Sequence, residues 1–186
     1  MVVEGSIRDG IVAAIPRLRA FAVSLTGSVD RANDLVQETM VRAYSNLDKF
    51  QPGTNLTAWL FTILRNHFRS EYRKRKREIE DVDGRHAESL TVNPAQPGTV
   101  EFNELRAALT VLPPEQREAL ILVGASGFSY EEAAEICDCA VGTIKSRINR
   151  ARVRLALLLS ENGAPAQETQ REAPVLHPGT DPSNGR

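Results

Sequence analysis

Phe128 to Arg152 reads F-S-Y-E-E-A-A-E-I-C-D-C-A-V-G-T-I-K-S-R-I-N-R-A-R, and the fold is decided there. Ser129 and Glu132 stand in the S-x-x-E spacing in which a hydroxyl and a carboxylate cap each other's backbone N–H groups, so a short helix opens and runs to about Cys137. Asp138-Cys139-Ala140 leaves room only for a turn. From Val141 to about Leu159 the apolar residues Ile144, Ile148, Ala151, Leu155 and Leu158 recur at helical spacing. A short capped helix, a tight turn and a longer helix make a helix-turn-helix. With the apolar side of the second helix turned inward, Lys145, Ser146, Asn149 and Arg150 project roughly opposite, beside Arg147. Arg and Lys donate to guanine, Asn bridges adenine and Ser adapts, which suits the DNA major groove. Gly142 and Thr143, small residues at the start of that helix, let its N-terminus approach phosphates. The plain alternative is a helical hairpin with a wet outer face.

Outward from this hairpin, every ordered segment reads as helix. A first helix spans about Ser6 to Thr26 on Ile7, Ile11, Ile15, Leu18, Ala22 and Leu25, with Pro16 as a point of kink or break and Gly27 as its stop. Ser28 is placed to cap a second helix to about Leu47. Pro52-Gly53 marks a loop, and a third helix follows from about Asn55 to Arg77. A fourth covers about Thr99 to Leu112, and Pro114 opens a fifth that ends before Gly127. No segment alternates apolar and polar residues long enough to be a strand. The expected architecture is all-α: two small helical bundles, residues 1–77 and 99–160, joined by a flexible acidic linker over 78–98. A proline-rich tail over 161–186 is expected to be disordered.

Composition excludes several classes. The chain has 186 residues, of which 41% are hydrophobic and 25% charged, a globular balance. No apolar run is long enough to span a bilayer, and the N-terminus lacks a basic region leading into an apolar one, so the cytoplasm is the expected compartment. The net charge of −1 hides a segregation. Arg65 to Arg77 holds seven basic residues against Glu71, and Lys145 to Arg154 holds five against none. Together they carry 12 of the 23 basic residues. Between Glu78 and Glu104 seven acids face only Arg85. Clustered base is the footprint of a polyanionic partner, although either cluster alone also suits a solvated helix face.

The third helix carries a second kind of nucleic-acid chemistry. At 100° per residue, Leu56, Leu60, Ile63, Leu64 and His67 fall on one side and Arg65, Arg69, Arg73 and Lys76 on the other. Trp59, Phe61, Phe68, Tyr72 and Asn66 share this helix, and Phe50 stands in the loop before it. Bases beside aromatics suit opened or single-stranded DNA, where rings stack on unpaired bases and cations follow the backbone. Core packing is the competing role for these rings, the better one for Phe68, and His67 reads as a packed histidine. Cys137-x-Cys139 lacks a second ligand pair, so thiols at a tight turn account for it better than zinc, and no cofactor is expected. No glycine-rich phosphate loop and no histidine cluster suggests an enzyme.

These residues resemble the extracytoplasmic-function (group 4) RNA polymerase sigma factors, which retain only regions 2 and 4. The resemblance runs from about Arg8 to Leu159 on N-D-L-V-Q-E-T-M-V-R-A-Y (Asn33 to Tyr44), T-A-W-L-F-T-I-L-R-N (Thr57 to Asn66), L-P-P-E-Q-R-E-A-L (Leu112 to Leu120) and the helix-turn-helix. The wording G-A-S-G-F-S-Y-E-E-A-A-E-I-C is similar to the EcfG-type general-stress-response branch. The resemblance implies that Asp34, Gln37 and Glu38 dock on the clamp helices of the polymerase β′ subunit. Asn46, Phe50 and Asn66 would surround a base flipped from the −10 element, the basic stripe would hold the backbone, and Lys145, Ser146, Asn149 and Arg150 would read the −35 element. It also implies a NepR-type anti-sigma factor captured by a PhyR-type regulator, no membrane attachment, and a free chain that is monomeric. Many relatives have proline where this chain has Ala140, which loosens the expected turn. The rival of another class is a sigma-like interaction module that binds the anti-sigma factor and never touches DNA; the retained basic residues disfavour it. A helix-turn-helix repressor would leave the aromatic first bundle without a role.

Overall fold

The computed structural model describes residues 2–82 and 100–163, all of them helices and the turns between them. The elements are α1 (Val2–Thr26), α2 (Val29–Ser45), a 3-10 turn (Leu47–Lys49), α3 (Leu56–Val82), α4 (Val100–Val111), α5 (Pro114–Gly124), α6 (Tyr130–Cys137) and α7 (Val141–Gly163). Among the described residues there is no strand.

Local chemistry explains the boundaries. Pro16 lies inside α1 without breaking it, because Ile11, Ala14 and Leu18 on both sides are buried and hold one axis through the missing hydrogen bond. α1 ends at Gly27, whose φ of 69° is the left-handed conformation glycine adopts without strain. Ser28 caps α2 by accepting a hydrogen bond from the Arg31 N–H. Asn55 does the same for α3, its Oδ1 accepting from the Ala58 N–H at 3.1 Å. α3 overruns the expected linker boundary: Glu78 to Val82 remain helical, since the chain offers no glycine or proline until Gly84. The remainder of the linker, 83–98, and the tail from 164 onward lie outside the described residues. Pro114 opens α5 as expected, and α6 begins with the full Ser129/Glu132 capping box.

α1, α2 and α3 form the first bundle; α4 to α7 form the second. α1 and α3 approach so closely at Gly10 that a Cβ there would sit 2.8 Å from Leu56 Cδ2. The two expected bundles are present, and they also meet directly. One continuous core runs from Ile11, Leu18, Phe21, Leu60, Phe61 and Leu64 of the first into Leu122, Phe128, Ile136 and Ile144 of the second. Phe61 stands between the two, stacked on Phe21 at 5.0 Å and meeting Phe128 edge-on at 4.9 Å. Apolar surface that neither small bundle covers alone is buried by docking them. A smaller cluster of Ala108, Leu112, Ala151 and Leu155 packs α4 on α7.

Candidate functional site

The second helix of the hairpin, α7, is built as its periodicity requires. Ile144, Ile148 and Ala151 are buried, while Lys145, Asn149 and Arg150 are exposed. Asp138 makes the turn possible by adopting φ 47°, ψ 58°, and its N–H bonds back to the carbonyls of Ala134 and Glu135. The Cys139 N–H adds a bond to the Ala134 carbonyl at 3.0 Å, so the turn is closed without a proline at Ala140. Ser146 donates to the Thr143 carbonyl at 2.9 Å and accepts from Arg150 Nη2 at 3.1 Å, which orders that arginine along the helix surface. Lys145 Nζ lies 5.9 Å from the centre of the Tyr130 ring. Gly142 is exposed with open space around its Cα, beside the half-buried Thr143. Arg147 departs from this outward row: half-buried, it points its Nη1 at Cys139 Sγ, 3.7 Å away.

The basic stripe of α3 is divided. Arg73 is exposed, Arg69 is part-buried, and Arg65 is 3% exposed. The side chain of Lys76 lies outside the described residues. Arg65 therefore does not continue a solvent-facing row, because it lies one turn on from Phe61, about 40° around the helix from that buried ring, and faces the second bundle. Its Nε donates to Glu118 Oε2 at 3.1 Å and its Nη1 to the Ile136 carbonyl at 3.3 Å. Arg69 Nη2 donates to Glu115 Oε1 at 2.9 Å. Its Nε lies 3.3 Å from Glu118 Oε1, an attraction of charge without hydrogen-bond geometry, which leaves that buried oxygen unsatisfied. Burial pushes the Glu118 carboxyl above the ordinary glutamate range, against the pull of Arg69 and Arg65.

The residues expected at a flipped base are separated into other partnerships. Asn46 Nδ2 donates to the Arg42 carbonyl at 2.8 Å and its Oδ1 accepts from Lys49 Nζ at 2.6 Å. Phe50 is 8% exposed, its ring 5.3 Å from that of the half-buried Trp59, so in this arrangement it is packed instead of offered for stacking. Phe68 is a core residue, as read from its position. Asn66 is exposed beside Arg65, whose Nη1 lies 3.4 Å from Asn66 Oδ1.

On α2, Asp34, Gln37 and Glu38 lie on one face by their i, i+3, i+4 spacing; the first two are exposed. Arg42 Nε donates to Glu38 Oε1 at 2.8 Å, and that bond holds the Glu38 carboxyl below its usual range. Asp34 and Glu38 border a cleft of about 320 Å³ against α3, with His67 and Glu71 opposite. His67 is half-buried there, Nε2 3.4 Å from Glu71 Oε1.

Three residues of the L-P-P-E-Q-R-E-A-L stretch carry structural roles that the sequence reading did not assign. Besides Glu115 and Glu118, Arg117 is 3% exposed and joins two helix ends. Its Nη1 donates to the Ser24 and Leu25 carbonyls of α1 at 3.4 and 3.1 Å, its Nη2 to Thr110 and Leu112 at 2.6 and 3.1 Å. A guanidinium is suited to this work, offering several donors in one plane to carbonyls left over at helix C-termini. The spacing held a signal: positions 115, 118, 119 and 122 share one face of α5, so charged residues lie on the same stripe as buried Ala119 and Leu122. Among the described residues no group of three or more His, Cys, Asp or Glu is placed to hold a metal ion. Burial pushes the Cys137 thiol up to about 11, so it is a poor thiolate ligand. No described helix is long and apolar enough to cross a membrane.

Comparison with known proteins agrees with this geometry over most of the chain. The family described as sigma-70 region 2 matches residues 11–78, and sigma-70 region 4 matches 102–155. The ECF RNA polymerase sigma factor EcfG of Rhodopseudomonas palustris (strain TIE-1) is 66% identical over 164 residues, covering 88% of this chain and 91% of that protein. Among solved structures, the sigma factor RpoE of Bartonella quintana, crystallised with the anti-sigma factor NepR, has a TM-score of 0.75 at 53% identity, covering 83% of this chain and 97% of that one. CnrH, solved with the cytosolic domain of CnrY, gives 0.65 at 28% identity, over 86% and 90% of the two chains.

Proposed function

The chain belongs to the sigma-70 family as an extracytoplasmic-function RNA polymerase sigma factor, and from that premise we propose how its surfaces divide the work of starting transcription. It is a promoter-directing subunit and not an enzyme. Asp34, Gln37 and Glu38 bind the β′ clamp helices of core polymerase. Lys145, Ser146, Asn149 and Arg150 read the −35 element, with Gly142, Thr143 and Arg147 holding the helix start against the backbone. Asn46, Phe50, Trp59 and Asn66 receive an extruded −10 base, and Arg65, Arg69, Arg73 and Lys76 hold the opened strand. Phe50 must then leave Trp59, and Arg65 and Arg69 must leave their carboxylates. An anti-sigma factor of the NepR type restrains the chain, and the genes it serves are those of a general stress response; the Bartonella complex and the likeness to EcfG support both statements.

The observation that carries this reading is α7, which buries Ile144, Ile148 and Ala151 while presenting Lys145, Asn149 and Arg150 to solvent. A good bidentate base contact discriminates by about 1–3 kcal/mol, roughly ten- to hundredfold. In transcription reactions with core polymerase, Asn149→Ala is therefore expected to lower initiation about tenfold at promoters with the matched −35 sequence. Competition for core enzyme should stay at the wild-type level. Equal loss on all −35 sequences would remove the base-reading role.

A further inference from the structure

Two of the cations assigned to the opened promoter strand, Arg65 and Arg69, are already neutralised inside the chain. Arg65 is 3% exposed against Glu118 at 0%, and Arg69 is shared between Glu115 and Glu118. Two carboxylates of α5 thus occupy the place of an anionic backbone along the first two turns of the basic row. The same seam is closed by Arg117 on the end of α1, by Asn55 Nδ2 donating to Glu132 Oε1 at 2.7 Å, by Arg17 bonding the Ser126 carbonyl, and by Phe61 against Phe128.

This seam has the chemistry of a contact made to open. Apolar residues of like volume would hold two bundles together at least as well as a buried ion pair, because desolvating both charges offsets most of their attraction. Here satisfaction is incomplete as well: Glu118 Oε1, Arg117 Nε and Gln116 Oε1 are buried without hydrogen-bond partners. Water would reach Glu118 Oε1 and Arg117 Nε on separation, which offsets part of the cost of uncovering Phe61 and Phe128. The raised Glu118 pKa points the same way, since burial there outweighs two neighbouring arginines.

We infer that Glu115 and Glu118 form an internal stand-in for DNA phosphate, a latch that keeps the free chain closed and withholds Arg65 and Arg69 until the two bundles part. The latch rests on the DNA-binding role given to α3 above. Core polymerase, by holding the bundles apart, exchanges these carboxylates for the promoter strand, and the chain is inhibited by its own α5 before any partner acts on it.

The test uses the full chain in solution. Glu115→Gln/Glu118→Gln removes both carboxylates, leaving the buried Arg65 without a counter-charge; Asp9→Asn/Asp30→Asn, at exposed sites that make none of these contacts, matches the change in net charge. Circular dichroism confirms helix content, and Glu115→Gln alone serves if the double variant does not fold, since Glu115 is 44% exposed. Small-angle scattering should show the latch variant expanding beyond the roughly 16 Å radius of gyration of a compact chain of this length. Its affinity for a fluorescent single-stranded oligonucleotide at low salt should rise about five- to tenfold over the control, with a salt slope steeper by about one to two released ions. Expansion with tighter binding supports the latch. Neither change, expansion without tighter binding, or tighter binding without expansion overturns it. Arg73→Ala separates the two proposals: if it weakens oligonucleotide binding while the latch variant matches its control, the DNA role stands and the latch falls. If Arg73→Ala changes nothing, the DNA role of α3 falls first.

Discussion

The two arginine-rich helices differ in what their cations face. On α7 the core residues occupy one side, so Lys145, Asn149, Arg150, Arg152 and Arg154 are exposed. On α3 the charge run is denser, yet its first cation is among the most buried residues of the chain. The difference lies in neighbours. Among the described residues α7 packs mainly on α4, α5 and α6, whereas α3 is wrapped by α1 and α2 on one side and by α6 on another. A basic run reports an outer face only when the helix has a single buried side. Where two sides are buried, a cation falls inside and needs a carboxylate to meet it.

The largest expected consequence is in stability. Arg65→Ala leaves Glu118 buried with one partner fewer, and breaking a buried pair this way costs about 3–5 kcal/mol. Arg150→Ala, on an exposed surface, should stay within about 0.5 kcal/mol of wild type. Urea denaturation followed by circular dichroism compares the two directly. Equal losses would mean that the seam arginine contributes no more than a surface one, and the contrast between the helices would vanish.

That contrast also shows how much was legible beforehand. The all-α fold, the capping box at Ser129 and Glu132, the turn at Asp138 and the inward row of α7 are local matters of spacing and side-chain chemistry, and they read out of the sequence within a few residues. Arg65 did not, because a helical wheel ranks residues against one core direction. Drawn around Leu60 and Leu64, it puts Arg65 outside; drawn around Phe61 and Phe68, it puts the same residue inside. The partner that decides between these wheels is Glu118, 53 positions away. Phe50 and Trp59 were ambiguous for a similar reason, since a ring suited to stacking on a base is equally suited to stacking on another ring.

A middle-sized effect sharpens the α7 side of the comparison. Its exposed row is aimed by α6, whose eight residues depend on their cap: Ser129 Oγ accepts from the Glu132 N–H at 3.0 Å and Glu132 Oε2 from the Ser129 N–H at 2.9 Å. Ser129→Ala should cost about 1 kcal/mol. It should also lower discrimination among −35 sequences in transcription reactions, because the recognition helix is then less firmly held. A stability loss with unchanged discrimination would show that α5 and the core alone fix the angle of α7.

The smallest effect is the most specific in sign, and it sets the glutamate beneath α3 against the one that caps α6. Burial raises the Glu118 pKa above 4.5, so the folded chain holds that proton more tightly than the unfolded one. Its contribution to stability is complete below about pH 4.5 and declines as the pH climbs through the raised value. Glu132 is shifted the other way, first by the Ser129 N–H and then by Asn55. Its contribution is present above about pH 4.5 and declines as the pH falls through the lowered value. Denaturation from pH 4 to 7 should therefore show the gap between wild type and Glu118→Gln narrowing with rising pH, and that for Glu132→Gln widening. If the Glu118 gap widens as well, Arg65 and Arg69 outweigh burial, and the seam is a tight ion pair with no tendency to part. Opposite slopes instead mark a carboxylate that burial leaves ill at ease beneath α3, while the one at the helix cap is held by the bonds that aim α7.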